Sequence, residues 1–334
     1  MIITKKIRNV FMIDNLLKLL IKTRSNRKLQ KLNRTISGFT MVELLVATIM
    51  ATIIIVPILS FVVNLVDRDV KEQAKTNSQQ ELQAAVDYIA QDVSQAFYIY
   101  DLNKEEKTED EKTAIDNFID QLPHPPTEDT DGEKEPILVF WKRELVEDAL
   151  APSGDICESS SCNDTFVESL VAYYLIEDDN NTWCQPSGDT CPKRIGRFQI
   201  QDGVISDQGN YVCRDDDSDI DGRSDDCKND SAKKKFQRDL GYTPYDNSNP
   251  IAWTKDTTDT YNSDIENYDQ DVIVLVNYIE DFTLDSVTDN DLAKITIQGN
   301  ALRRIQTNNT TCSDSSSYCP KTTAQVGGRS GFGE

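Results

Sequence analysis

The sequence predicts an α+β protein: a long N-terminal helix, transmembrane and then amphipathic, packed on an antiparallel β-sheet domain. Three observations predict it. The run Leu44–Val66 holds 23 residues without a charge. Apolar residues then recur mostly at three- and four-residue steps, at Val70, Ala74, Leu82, Val86, Ile89, Val93 and Phe97, the spacing of one helix face. Further along, short segments rich in β-branched and aromatic residues alternate with Asp, Asn, Ser and Gly, the pattern of strands joined by turns.

Residues 1–38 carry ten Lys/Arg and one Asp, and residues 39–334 carry 25 basic and 56 acidic residues, a net of −31. Basic residues stay on the cytoplasmic side of a span. The chain is therefore expected to cross the inner (plasma) membrane once, with its acidic bulk periplasmic or extracellular. That charge excludes nucleic acid as a partner, since binding to phosphates needs Lys and Arg. It favours solubility and cation binding. Within the leader, Phe11–Ile13 and Leu16–Ile21 form a weak amphipathic pattern suited to a lipid surface, and Met12 is an alternative start. Residues 39–66 would span about 42 Å as a helix, enough to cross the hydrocarbon core with tilt. Pro57 removes one backbone donor inside it and is expected to kink or locally melt it.

Between leader and apolar run stands Gly38-Phe39-Thr40-Met41-Val42-Glu43. A single carboxylate at the lip of a membrane segment is costly and asks for a partner. An α-amine released by cutting after Gly38 would supply one. This arrangement resembles the class III signal of type IV pilins and pseudopilins. The resemblance implies that a prepilin peptidase cuts after Gly38 and methylates Phe39, and that Glu43, fifth in the mature chain, directs assembly. The competing reading is an ordinary signal anchor with an incidental Glu43. A cleavable secretory signal fits worse, because its cleavage site follows the apolar core.

The segment Asp87-Tyr88-Ile89-Ala90-Gln91-Asp92-Val93-Ser94-Gln95-Ala96-Phe97-Tyr98 resembles the end of the long helix in J-type minor pseudopilins and W-type minor pilins. Gln91 stands where an Arg is common in those families. Tyr98-Ile99-Tyr100-Asp101 is similar to pseudopilins of hormogonium polysaccharide secretion in filamentous cyanobacteria. The resemblance implies a pilin-like fold and a non-enzymatic subunit. Its partners would be other pilins or pseudopilins, the prepilin peptidase, an inner-membrane platform protein and membrane lipid, with polysaccharide as the exported class. The expected organisation is a cleaved leader over 1–38, a transmembrane helix over 39–66 and an amphipathic helix over 67–100. A β domain with acidic, cysteine-bearing loops follows over 101–320, then a disordered tail over 321–334.

Residues 101–135 read as a mobile loop or a short surface helix. Strands are expected at Ile137–Trp141, Phe166–Ile176, Arg194–Ile200, Val272–Ile279 with Phe282–Leu284, and Lys294–Gly299. Eight cysteines, all after the span, fall into close pairs. In an oxidising compartment disulfides are the default, and the close pairs are Cys157–Cys162, Cys184–Cys191, Cys213–Cys227 and Cys312–Cys319. Spacing alone leaves other connectivities open. A zinc site fits poorly, with no CxxC and a single histidine, His124.

Asp217, Asp219 and Asp221 alternate ahead of Gly222, with the Arg223 carbonyl and Asp225 at the next suitable positions. Such spacing aims oxygens at one point, as Ca²⁺ requires. Lys228 stands where an EF-hand needs its bidentate Glu, so the expectation is a Ca²⁺ loop of another type, clamped by Cys213 and Cys227. The competing reading is a solvated acidic loop. Trp141, Trp183 and Trp253 are candidates for sugar stacking, against the plainer reading of core residues. No G-x-S-x-G and no Gly-rich phosphate loop is present, and no enzyme activity is expected. The principal rival to a filament subunit is a single-pass anchored binding protein or adhesin.

Overall fold

The structure is a computed structural model. It describes residues 39–104, 107–122, 133–151, 162–177, 182–186, 191–207, 209, 212, 243–254, 272–306, 312–313 and 316–329. Helix α1 runs Met41–Val93, and the chain divides into two compact units, one ending at Val63 and one covering Asn64–Glu334. In the first unit the backbone stays α-helical on both sides of Pro57, and the side chains of this stretch are exposed.

The second unit begins with the rest of α1. Its buried residues are Ala74, Ser78, Leu82, Ala85, Val86, Ile89, Asp92 and Val93, a three-and-four stripe that matches the predicted face from Ala74 onward. Val70 stays exposed. The helix ends at Val93, where Ser94 Oγ donates to the Gln91 carbonyl. Ala96–Ile99 then forms strand β1. The amphipathic helix expected over 67–100 is therefore too long at its C-terminal end. Phe97 falls on helical spacing by chance, while Phe97-Tyr98-Ile99 has strong strand propensity.

Helix α2 (Glu109–Gln121) follows, opened by a capping box between Thr108 and Glu111. Three acids in its first turn suit the positive end of the helix dipole. It buries Ile115 and Phe118, so of the two readings for 101–135 the helical one holds at Glu109–Gln121.

The remaining strands are β2 (Glu133–Leu150), β3 (Asn163–Glu177), β4 (Lys193–Gln201), β5 (Ile273–Thr288), β6 (Leu292–Gly299) and β7 (Lys321–Gly327). They form one antiparallel sheet in chain order, β1 to β7. The two segments expected around residue 280 are one strand, β5, whose register shifts between Ile279 and Asp281. Tyr278, with φ of 61°, stands at that irregularity. Strand β7 corrects the expectation of a disordered tail from 321. Its Thr322, Ala324 and Val326 face inward while their neighbours face out, an alternation written in small and polar residues and so weak in hydropathy.

The sheet curls until its two edges meet. Arg329 N donates to Ala96 O at 2.6 Å, Ile99 N to Asn290 O at 2.7 Å, and Asn290 Nδ2 back to Ile99 O at 2.8 Å. Asp289 and Asn290, both at positive φ, make the turn between β5 and β6 that reaches β1. Such a turn suits short polar side chains. The inner face of the sheet packs on α1, with Leu82, Val86, Ile89 and Val93 against Phe140, Tyr173, Ile195, Phe282, Ile295 and Ile297. The outer face carries a second layer in which Tyr100, Phe118, Trp141, Tyr174, Phe198 and Trp253 are buried. Strand β3 is covered on both faces, which explains its unbroken buried run.

Candidate functional site

At the head of α1, Thr40 caps the helix. The Glu43 amide donates to Thr40 Oγ1 at 3.3 Å, the Thr40 hydroxyl faces Glu43 Oε2 at 3.5 Å, and the Leu44 amide donates to the Thr40 carbonyl at 3.1 Å. Thr-x-x-Glu is the spacing of a capping box, and Glu43 sits one turn from Phe39. Phe39 and Glu43 are exposed, and Gly38 lies outside the described residues. From Met41 the helix is long and apolar enough to cross a membrane. An exposed apolar helix of this length needs lipid or other helices around it.

The other end of α1 is tied to the sheet by a buried ionic cluster built on Asp92. Tyr173 donates its hydroxyl to Asp92 Oδ2 at 2.8 Å, Arg197 Nε donates to the same oxygen at 2.7 Å, and Lys142 Nζ reaches Oδ1 at 3.0 Å. Arg197 also donates to Gln199, which donates to Glu144 at 2.6 Å. Burial pushes the Asp92 pKa up, but the Arg197 hydrogen bond and the charges of Arg197 and Lys142 outweigh it and hold the carboxyl below its ordinary value. Burial, then the Asp92 charge, pushes the Tyr173 phenol up. Three strands, β2, β3 and β4, thus converge on one helical carboxylate. Asp92 belongs to the helix-end segment quoted above, but its partners lie 50 to 105 residues away, where spacing carries no signal.

Further ties hold the β6–β7 connection to α1. Arg304 makes a two-pronged pair with Glu81, and the Tyr318 hydroxyl donates to Glu72 at 3.3 Å. Gly299 lets the sheet approach the helix: a Cβ there would lie 2.8 Å from Ser78 Oγ and 3.1 Å from Leu82 Cδ1.

Cys184–Cys191 and Cys312–Cys319 are joined as expected, and Cys162 is also disulfide-bonded. Cys157, Cys213 and Cys227 lie outside the described residues, as do Asp217, Asp219, Asp221, Arg223 and Asp225 of the expected Ca²⁺ loop. Among the described residues no cluster of three or more His, Cys, Asp or Glu side chains is arranged to hold a metal. Trp141 and Trp253 are buried in the outer layer, where Trp141 Nε1 donates to the Tyr100 hydroxyl and Trp253 Nε1 to the Thr243 carbonyl. Their rings are core elements and offer no face to a sugar. No family model, no curated protein and no solved structure matches this chain.

Proposed function

We propose that the chain is a minor pseudopilin, a structural subunit of a type IV pilus-like or type II secretion-like filament that supports secretion of polysaccharide. The observation that carries this reading is the head of α1. An apolar helix begins one residue after Thr40, with a lone carboxylate, Glu43, in its first turn and the cleavable Gly38-Phe39 bond just ahead. The carboxylate would pair with the Phe39 amine of its own or a neighbouring chain. In a low-dielectric helical bundle an unpaired charge is costly, and pairing sets subunit register. The positive leader places the sheet unit on the far side of the membrane. The exposed apolar helix is the part that packs in the filament, and the sheet unit is the part carried outward.

Mass spectrometry of the mature N-terminus tests the cleavage. N-methyl-Phe39 is the expected result; an intact leader supports a single-pass anchored binding protein instead. Glu43→Ala is expected to leave cleavage intact and to abolish recovery of the protein in sheared filaments. Normal filaments in that variant would refute the register argument.

A further inference from the structure

The outer layer of the sheet stops short of the far end of β2 and β3. Trp141 and Leu170 are covered, but the next pairs on the same face are Arg143 opposite Glu168 and Leu145 opposite Phe166. Leu145 is 47% exposed and Phe166 62%. Isolated apolar residues on a surface are ordinary. These two are direct cross-strand partners, and Phe166 also walls a cleft of about 270 Å³ lined by Ser94, Gln95, Phe97, Arg143 and Arg329. The cleft sits at the seam where Arg329 N is bound to Ala96 O, so the root of the Arg329 side chain is fixed at its rim. The Arg143 guanidinium stands 5.7 Å from the centre of the Phe97 ring and 3.7 Å from Glu168. Arg329 is exposed and makes no ion pair among the described residues.

The chemistry of the cleft selects its occupant. Two aromatic rings with a neighbouring leucine offer apolar surface, and aromatic residues with arginine make up the energetic centres of protein interfaces. Arg143 and Arg329 are the charged residues lining the cleft, with Glu168 3.7 Å from Arg143 and Asp202 close enough to act on Glu168, on a chain whose residues 39–334 carry a net of −31. A cationic rim on an acidic molecule favours an acid-bearing partner, which Arg can grip through two hydrogen bonds. Ser94 and Gln95 are the neutral polar side chains lining the cleft, too few for a hydroxyl-rich sugar. We propose that this cleft binds an apolar, acid-bearing peptide segment of a partner protein. The inference does not rest on the filament reading, since it needs neither cleavage at Gly38 nor Glu43.

Selection of random short peptides displayed on phage against the full chain in nanodiscs tests it, followed by titration with the synthetic consensus peptide. The expected consensus places Leu or Phe beside Asp or Glu. Phe166→Ser is expected to weaken binding about tenfold. Arg329→Glu is expected to turn the selected charge from Asp/Glu to Lys/Arg. Both positions are exposed, so thermal melting should stay unchanged in the two variants. Three results would overturn the proposal. One is a consensus without acidic residues, or binding indifferent to both substitutions. Another is tighter binding of polygalacturonate than of the peptide, lost in Phe166→Ser, which would assign the cleft to a glycan. The third is self-association lost in Phe166→Ser and not competed by the peptide, which would assign it to a second copy.

Discussion

Asp92 is the residue on which the second unit turns. It is a buried carboxylate with two buried cations and a phenol around it. Removing one member of such a set leaves charges buried and uncompensated, at a cost of about 3–5 kcal/mol. Asp92→Asn is expected to destabilise the protein by that order in chemical denaturation. The sign of the pH dependence follows from the lowered pKa. A carboxylate depressed in the folded state adds stability that is fully present above the unfolded value of about 3.9 and is lost as pH falls through the folded value. The gap between native protein and Asp92→Asn should therefore be constant near neutral pH and shrink below about pH 4. A gap that widened on acidification would contradict the assignment. Glu43 differs in kind. Its local contacts are a cap on an exposed helix end, worth about 1 kcal/mol, so a large effect of Glu43→Ala has to come from other chains.

At the scale of elements, legibility followed the strength of the local pattern. Strands β3, β4 and β6 were readable because their apolar runs are bounded by turn residues, and the face of α1 from Leu82 to Val93 because apolar residues recur there at three- and four-residue steps, whereas buried Ser78 and Asp92 carried no such signal. Helix α2 had a sequence signal, Thr108-x-x-Glu111 ahead of Ile115 and Phe118, but the surrounding charges masked it. Strand β7 had almost none, since Lys321-Thr322-Thr323-Ala324-Gln325 becomes a strand only by pairing with β6. Gly299 shows how helix and sheet fit. Gly299→Ala should cost about 1–3 kcal/mol through overpacking against Ser78 and Leu82. Ser78→Ala removes the nearer clash, so in a double-mutant cycle the second alanine should cost less in the Ser78→Ala background than alone. Simple additivity would show that the two residues are not in contact.

At the scale of the whole molecule, the closure of the sheet is the feature most open to test. Gly328 lies at the seam, and a Cβ there would stand 2.6 Å from the Ala96 carbonyl oxygen. That atom is backbone and cannot step aside, so Gly328→Ala should part the edges. Amide exchange at Ile99 and Arg329 is expected to rise in this variant while the β3 core stays protected. Unchanged exchange at both amides would mean that the seam closes by other contacts.

The amino-acid order alone sufficed for the coarse fold, a long apolar helix with an antiparallel sheet. One charge-free run, the basic-to-acidic switch that brackets it, one helical stripe and a set of strand-like segments are local quantities, and local quantities are what a sequence displays. It also marked Gly38, Phe39 and Glu43, because a carboxylate at the edge of such a run stands out without any knowledge of the fold. The fold was needed to show that Asp92 collects Lys142, Tyr173 and Arg197, that 321–327 is a strand, that Trp141 and Trp253 are core, and that Phe97, Arg143, Phe166 and Arg329 share a cleft. Each of those depends on residues brought together over long stretches of chain by sheet register and curl, and pairing of that kind leaves no periodic trace in the amino-acid order.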